Sequence, residues 1–283
     1  MREFLRSRIA AAAAAALLAI LLVALFAPWI APQNPYDLGK LDLLDARLEP
    51  GAKSFASSFQ YLLGTDGQGR DMLSAILYGL RVSLSVGVAS GLIALAIGGI
   101  LGVVAAYAGG RTEQAIMRVV DIQLGFPAIL VALILIAVLG KGVDKIIIAL
   151  VCVQWAYYAR TARSAAVVER NKEYIDAARS LGFSRARIVL RHLLPNALPP
   201  LIVVGTVQVA HAIALEATLS FLGLGMPITS PSLGLLISNG FAHLLSGRYW
   251  ISFFPGVALL ATIVAINLVG DQLRDVLNPR LQK

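Results

Sequence analysis

Five stretches of this chain carry no charged side chain: Ile9 to Ala31, Val82 to Gly110, Ile122 to Gly140, His192 to Leu215 and Tyr249 to Gly270. A helix needs about 20 mostly apolar residues to cross the hydrocarbon core of a bilayer. Lipid offers no hydrogen-bond partner, so such stretches must satisfy their own backbone, which a helix does. Of the 283 residues, 58% are hydrophobic and 14% charged, against roughly a quarter charged in a soluble domain. The expected fold class is all-α, a polytopic membrane protein. A soluble enzyme, a secreted disulfide module and a disordered scaffold are excluded. Cys152 is the single cysteine, so an intrachain disulfide is impossible.

The charge that remains is clumped, and the clumps set a topology. Ile9 to Ala31 is longer than the roughly 7–15 apolar residues of a signal peptide, so it is read as a retained first span. The segment from Arg160 to Arg191 holds eight basic and three acidic residues and is assigned to the cytoplasm, where Lys and Arg accumulate. A basic N-terminus belongs on the same side. Both placements hold only if Ile146 to Ala159 also crosses, giving six spans with both termini cytoplasmic. Residues 1–31 are then the N-terminus and first span, 32–81 an extracytoplasmic segment, 82–276 a five-helix core containing the loop 169–192, and 277–283 a tail. Asp71 to Leu80 is expected as a short interfacial helix. The Gly-, Pro- and Ser-rich stretch 223–248 is expected as a re-entrant or cap-like segment.

No catalytic motif is recognisable. The Gly-Lys pairs at 39–40 and 140–141 do not continue as a phosphate-binding loop. The three histidines are far apart in sequence, with no metal-ligand spacing. The most informative stretch is Glu173 to Asn196, which reads as helix, glycine stop, helix, proline stop. Gly182 suits the left-handed position that ends a helix, Ser184 suits an N-cap, and Pro195 is expected to close the second helix. Ala177 and Ala178 leave a bare patch. From the residues alone, a lipid-hugging helix and a docking element for a cytoplasmic subunit are about equally plausible. A DNA-binding helix pair tethered between two spans is far less so.

The spacing Asp176-Ala177-Ala178-x-x-x-Gly182, followed by Leu194-Pro195, resembles the EAA motif of permease subunits of bacterial ABC importers. Asp176 stands where that motif has Glu, and His192 where it has Ile. Leu63-Gly64-Thr65-Asp66-x-x-Gly69-Arg70-Asp71, the Leu219 to Gly225 stretch and the tail from Gly270 resemble the second, C-type permease of the dipeptide, oligopeptide and nickel branch. Ala75 and Leu233 depart from that branch's Arg and Trp. The resemblance implies the six-helix type I permease fold in a bacterial inner membrane. It implies a second homologous permease, two ATP-binding subunits and an extracytoplasmic binding protein as partners, with no nucleic acid. ATP and Mg would be used by the partner subunits, with no cofactor or metal held by this chain. Asp176, Ala177, Ala178, Gly182, Leu194 and Pro195 would carry the coupling, and the cargo would be peptides.

Three further groups are candidates. Gly64, Thr65, Asp66, Gly69, Arg70 and Asp71 read either as a capped turn or as a docking surface for the binding protein. Glu216 is the one acidic residue within a span, by default a functional hypothesis, though near the outer end it can be structural. His211 shares a helix face with Gln208, where a satisfied interhelical hydrogen bond is the plain expectation and a translocation-path role the sharper one. The alternative function is a proton-coupled secondary transporter relaying through Glu216 and His211. A third possibility, an intramembrane hydrolase, lacks a nucleophile–base pattern.

Overall fold

A computed structural model describes residues 7–227 and 229–277. Ser7 caps helix α1 (Arg8–Ile30) by accepting from the amide of Ala10. The chain then runs through a folded loop to Asp71, which caps α2 (Met72–Ala108). Next come α3 (Gly110–Gly125), α4 (Ala128–Leu139), α5 (Val143–Arg170), α6 (Glu173–Ser180) and α7 (Arg185–Ile188). The last three are α8 (Leu194–Phe221), α9 (Leu233–Phe241) and α10 (Trp250–Leu277). No strand occurs among the described residues, only isolated bridges at Lys53–Gln60 and Thr65–Asp71.

α2 organises the bundle. It is 37 residues long, about 55 Å at 1.5 Å per residue, so it outreaches a hydrocarbon core of about 30 Å. Its Asp71–Leu80 turns are not a separate interfacial helix. They are its first buried turns, with Met72 and Ala75 fully enclosed. Arg81 ends the uncharged run, yet it merely faces outward while the helix continues.

Close packing explains how α2 holds two neighbours. Beta carbons placed at Gly98 and Gly102 would lie 2.2 Å and 2.3 Å from the carbonyl oxygens of Trp155 and Ala159 on α5. One at Gly87 would lie 2.6 Å from Ile213, and one at Gly91 2.9 Å from Val209, both on α8. Small residues spaced four apart let helix backbones approach in lipid, where packing replaces the hydrophobic effect as the force between helices. The three largest buried clusters among the described residues follow from this packing. One joins α1, α2, α8, α9 and α10, a second joins α2, α4, α5 and α8, and a third joins α2, α5, α6 and α8 at the opposite end from the folded loop.

Among the described residues, four helical paths are long and apolar enough to cross a membrane alone: α1, α2, α10 and the path from Arg185 through Phe221. The expected span Ile122 to Gly140 is not one helix. α3 stops at Gly125, α4 begins at Ala128, and the two are bent by 91°. Pro127 disfavours helical backbone at the residue before it, and Phe126 is extended. Counted together, the bent pair is a fifth candidate. α5 has 28 residues, about 42 Å, but Arg160, Arg163 and Arg170 dilute its apolar content. Two of these pair with α3, Arg160 with Asp121 at 2.5 Å and Arg163 Nε with Glu113 at 2.7 Å.

Candidate functional site

At the α6 end of the bundle, α6 begins after Lys172 and ends where Gly182 takes a φ of 74°. The amides of Gly182 and Phe183 return to the carbonyls of Arg179 and Ala178, closing the helix as a left-handed terminus requires. Ser184 then caps α7 by accepting from the amide of Arg187 at 3.3 Å. Pro195 does not close that helix. The path continues through a π turn at Val189–Leu193 into α8, and the amide of Leu194 reaches back five residues to Val189. The wider turn absorbs the amide that proline lacks.

The expected alanine patch divides. Ala178 is buried beside Ile175, Ile188 and Leu193, whereas Asp176, Ala177 and Gly182 are exposed. A beta carbon at Gly182 would meet nothing within 4 Å, so within this chain glycine is required there by φ and not by crowding. Leu194 is half-buried, and Pro195 is exposed at the start of α8. Asp176 pairs with Arg179 at 3.1 Å. Burial and the hydrogen bond to Glu169 push the Tyr174 hydroxyl up to about 12, so it remains a proton donor at neutral pH.

At the opposite end, all six residues of the Gly64–Asp71 signature are buried. Asp66 Oδ1 accepts from the amides of Gln68 and Arg70 at 2.8 and 3.0 Å, and its other oxygen lies 3.7 Å from the Arg70 guanidinium. Burial raises the Asp66 carboxyl, with Arg70 and the two amides opposing. Thr65 accepts from the amide of Leu48 at 2.7 Å, and its carbonyl accepts from the Trp250 indole of α10 at 3.2 Å. Gly64 and Gly69 have φ of 78° and 77°, and beta carbons there would lie 2.6 and 2.2 Å from the carbonyl oxygens of Leu48 and Asp42. The signature is therefore an internal turn that seats the loop on α2 and α10. In the 64–71 stretch the only exposed residue is Gly67, so the signature side chains themselves offer no docking surface.

Glu216 is fully buried near the same end. It accepts from the hydroxyls of Ser83 at 2.9 Å and Ser220 at 2.7 Å, tying α2 to α8. Ser220 also accepts from the amide of Met226 at 3.3 Å, so the same knot holds the chain leaving α8. α9 is capped by Ser232 and buried at Leu233–Leu236, which makes 223–248 an inserted cap between α8 and α10.

His211 makes no hydrogen bond to another described residue, so the expected interhelical bond is absent. Its exposed ring lines a cavity of about 730 Å³ between α5, α8 and α10, with Gln208, Tyr157, Asp271 and Arg274. Gln208 meets α5 through its backbone instead, accepting from Gln154 Nε2 at 2.8 Å. Five residues separate His211 from Glu216, about 140° around the helix. The two do not converge, and a direct relay between them has no geometric support. Asp271 and Arg274 are exposed cavity residues that form no ion pair among the described residues. No metal-binding group of His, Cys, Asp and Glu occurs among the described residues.

The long apolar helices, the exposed helical loop at one end and the open-sided cavity define a membrane transport subunit. The family model for the inner membrane component of binding-protein-dependent transport systems matches residues 98–283. The model for the N-terminal transmembrane domain of oligopeptide transport permease C matches residues 1–50. The dipeptide transport system permease of Escherichia coli is 40% identical over 280 residues, covering 99% of this chain and 92% of that protein. The di/tripeptide transport system permease of Pseudomonas aeruginosa is 36% identical over 281 residues, covering 99% and 91%. The methionine ABC transporter MetNI, solved in inward-facing form, superposes with a TM-score of 0.60 at 22% identity, covering 73% of this chain and 98% of that one, a likeness of fold. The chain belongs to the inner membrane permease family of binding-protein-dependent transport systems. It is the permease component of an ABC importer and works beside ATP-hydrolysing and partner subunits.

Proposed function

We propose that this chain is one of two permease subunits of an ATP-driven peptide importer in a bacterial inner membrane. What supports peptide as the cargo is the 36–40% identity to dipeptide and di/tripeptide permeases along almost the whole chain. The α6–α7 end faces the cytoplasm with both termini, because eight basic residues cluster between Arg160 and Arg191. The folded loop then faces outward. Asp176, Ala177 and Gly182 meet one of two ATPase subunits, which use ATP and Mg, while Ala178, Leu194 and Pro195 shape the loop from behind. This chain holds no cofactor or metal of its own. His211 and Gln208 line half of the translocation path, whose other half comes from the second permease. Glu216 braces its outer end, and an extracytoplasmic binding protein delivers the peptide.

The test is purification of the tagged chain in mild detergent from its native membrane, with quantitative mass spectrometry of what accompanies it. Two copies of ATPase and one of a second permease are expected per chain. A chain recovered alone, from membranes where such ATPases are expressed, would sink the assembly. In reconstituted vesicles the complex should import labelled dipeptides only with binding protein and ATP present. Gly182→Asp should abolish that import while the complex still assembles.

A further inference from the structure

Between α6 and α8 lies a side-chain clasp that the family motif does not include. The Tyr174 hydroxyl donates to Glu169 Oε2 at the end of α5 at 2.8 Å. It accepts from Asn196 Nδ2 on α8 at 3.2 Å. The same Asn196 amide group also donates to the carbonyl of His192, inside the π turn, at 2.7 Å. The His192 ring sits beside Tyr174, with centroids 6.4 Å apart. It stacks on Phe183 at 6.0 Å and 15°, and Arg187 lies over the other partner's ring, Phe183, at 4.3 Å. Three helices and the π turn therefore meet through two side chains.

The position matters because of what surrounds it. The π turn at Val189–Leu193 and the amide-free Pro195 interrupt the regular ladder that joins α7 to α8. A push delivered to α6 and α7 would be absorbed there as bending unless something spans the break. Asn196 lies beyond the turn, His192 within it, and Tyr174 on the element that takes the push. We propose that Tyr174 and Asn196 are positioning residues that make residues 173–188 and the start of α8 move as one body. The inference rests on the reading of α6 and α7 as the ATPase-facing loop. Because the clasp lies on the connection between the loop and α8, it should also carry the signal inward, from binding-protein docking outside to ATP hydrolysis inside.

The experiment uses the assembled transporter in nanodiscs and compares ATP hydrolysis with and without its binding protein, for Tyr174→Phe, Asn196→Leu and the double variant. Tyr174→Phe keeps the ring against His192 and removes only the hydroxyl, so it carries the test if Asn196→Leu fails to assemble. Basal hydrolysis should be unchanged, and the stimulated-to-basal ratio should fall by about fivefold or more, the low end of the scale of losing two net hydrogen bonds. The double variant should be no worse than the more affected single, as expected of one coupled unit. A stimulation ratio equal to wild type in Tyr174→Phe, or losses that multiply in the double variant, would overturn the proposal. Gly182→Asp in the same assay separates the two readings. If it loses stimulation while the clasp variants keep it, the clasp alone is wrong; if it too is stimulated normally, the coupling-loop reading falls.

Discussion

Glu216 shows how one residue can look like a transport site and serve as a joint. Both carboxylate oxygens accept from serine hydroxyls on α2 and α8, and the side chain is fully buried between those helices and does not line the cavity that His211 faces. Glu216→Leu should leave two buried hydroxyls unpaired and cost about 2–3 kcal/mol, whereas Glu216→Gln keeps an acceptor and should cost about 1 kcal/mol. Thermal unfolding of the detergent-solubilised complex reads the difference, and equal losses would count against the joint. Asp45, in the folded loop, offers a pH test. Burial alone would raise its carboxyl, but hydrogen bonds from Ser54, the Phe55 amide and Tyr61 outweigh that and hold it below the usual range. A depressed carboxyl stabilises the loop at neutral pH, and that stabilisation is lost as the pH falls below about 4. Protease sensitivity of residues 32–71 should therefore rise in acid, and Asp45→Asn should be sensitive already at pH 7.

Among the described elements, α2 and α5 form the most extensive contact, and it depends on two glycines spaced four apart. Gly98→Leu or Gly102→Leu would place side chains where the α5 carbonyls already lie. Each should cost about 2 kcal/mol or more, seen as loss of monodisperse protein on size-exclusion chromatography. Gly256→Leu on α10, whose beta carbon would meet nothing within 4 Å, is the contrasting substitution and should behave as wild type when the chain is purified alone. Element boundaries were only partly legible. The uncharged run from Ile122 looks continuous to a hydropathy argument, yet Gly125 and Pro127 lie within it and mark the 91° bend. Pro195 invited the opposite error, because a π turn lets a helix pass a proline that a regular turn would reject.

The whole molecule presents an open-sided cavity, and its lining mixes apolar walls with Gln208, His211, Asp271 and Arg274. If a second permease closes that side, His211→Cys in a Cys152→Ser background should react quickly with a membrane-impermeant maleimide in the isolated chain. It should react far more slowly in the assembled complex. Equal rates would place the partner elsewhere. Cavity membership was not readable for Asp271 and Arg274, which lie about 60 residues beyond His211 in sequence and reach it only because α10 packs along α8.

The chain's own order of residues determined the helical class, the membrane environment, the turn chemistry of Asp66 and Asp71, and the left-handed stop at Gly182. These are consequences of local free energies: apolar length, backbone preference and charge. Tertiary structure alone decided that the 64–71 signature is buried under Trp250, that Ala178 faces inward while Ala177 does not, and that Glu216 is satisfied by a serine 133 positions away. Those outcomes depend on which helix faces meet. In a membrane, where apolar surface is no worse off against lipid than against protein, that is settled by close packing and hydrogen-bond pairing between distant segments.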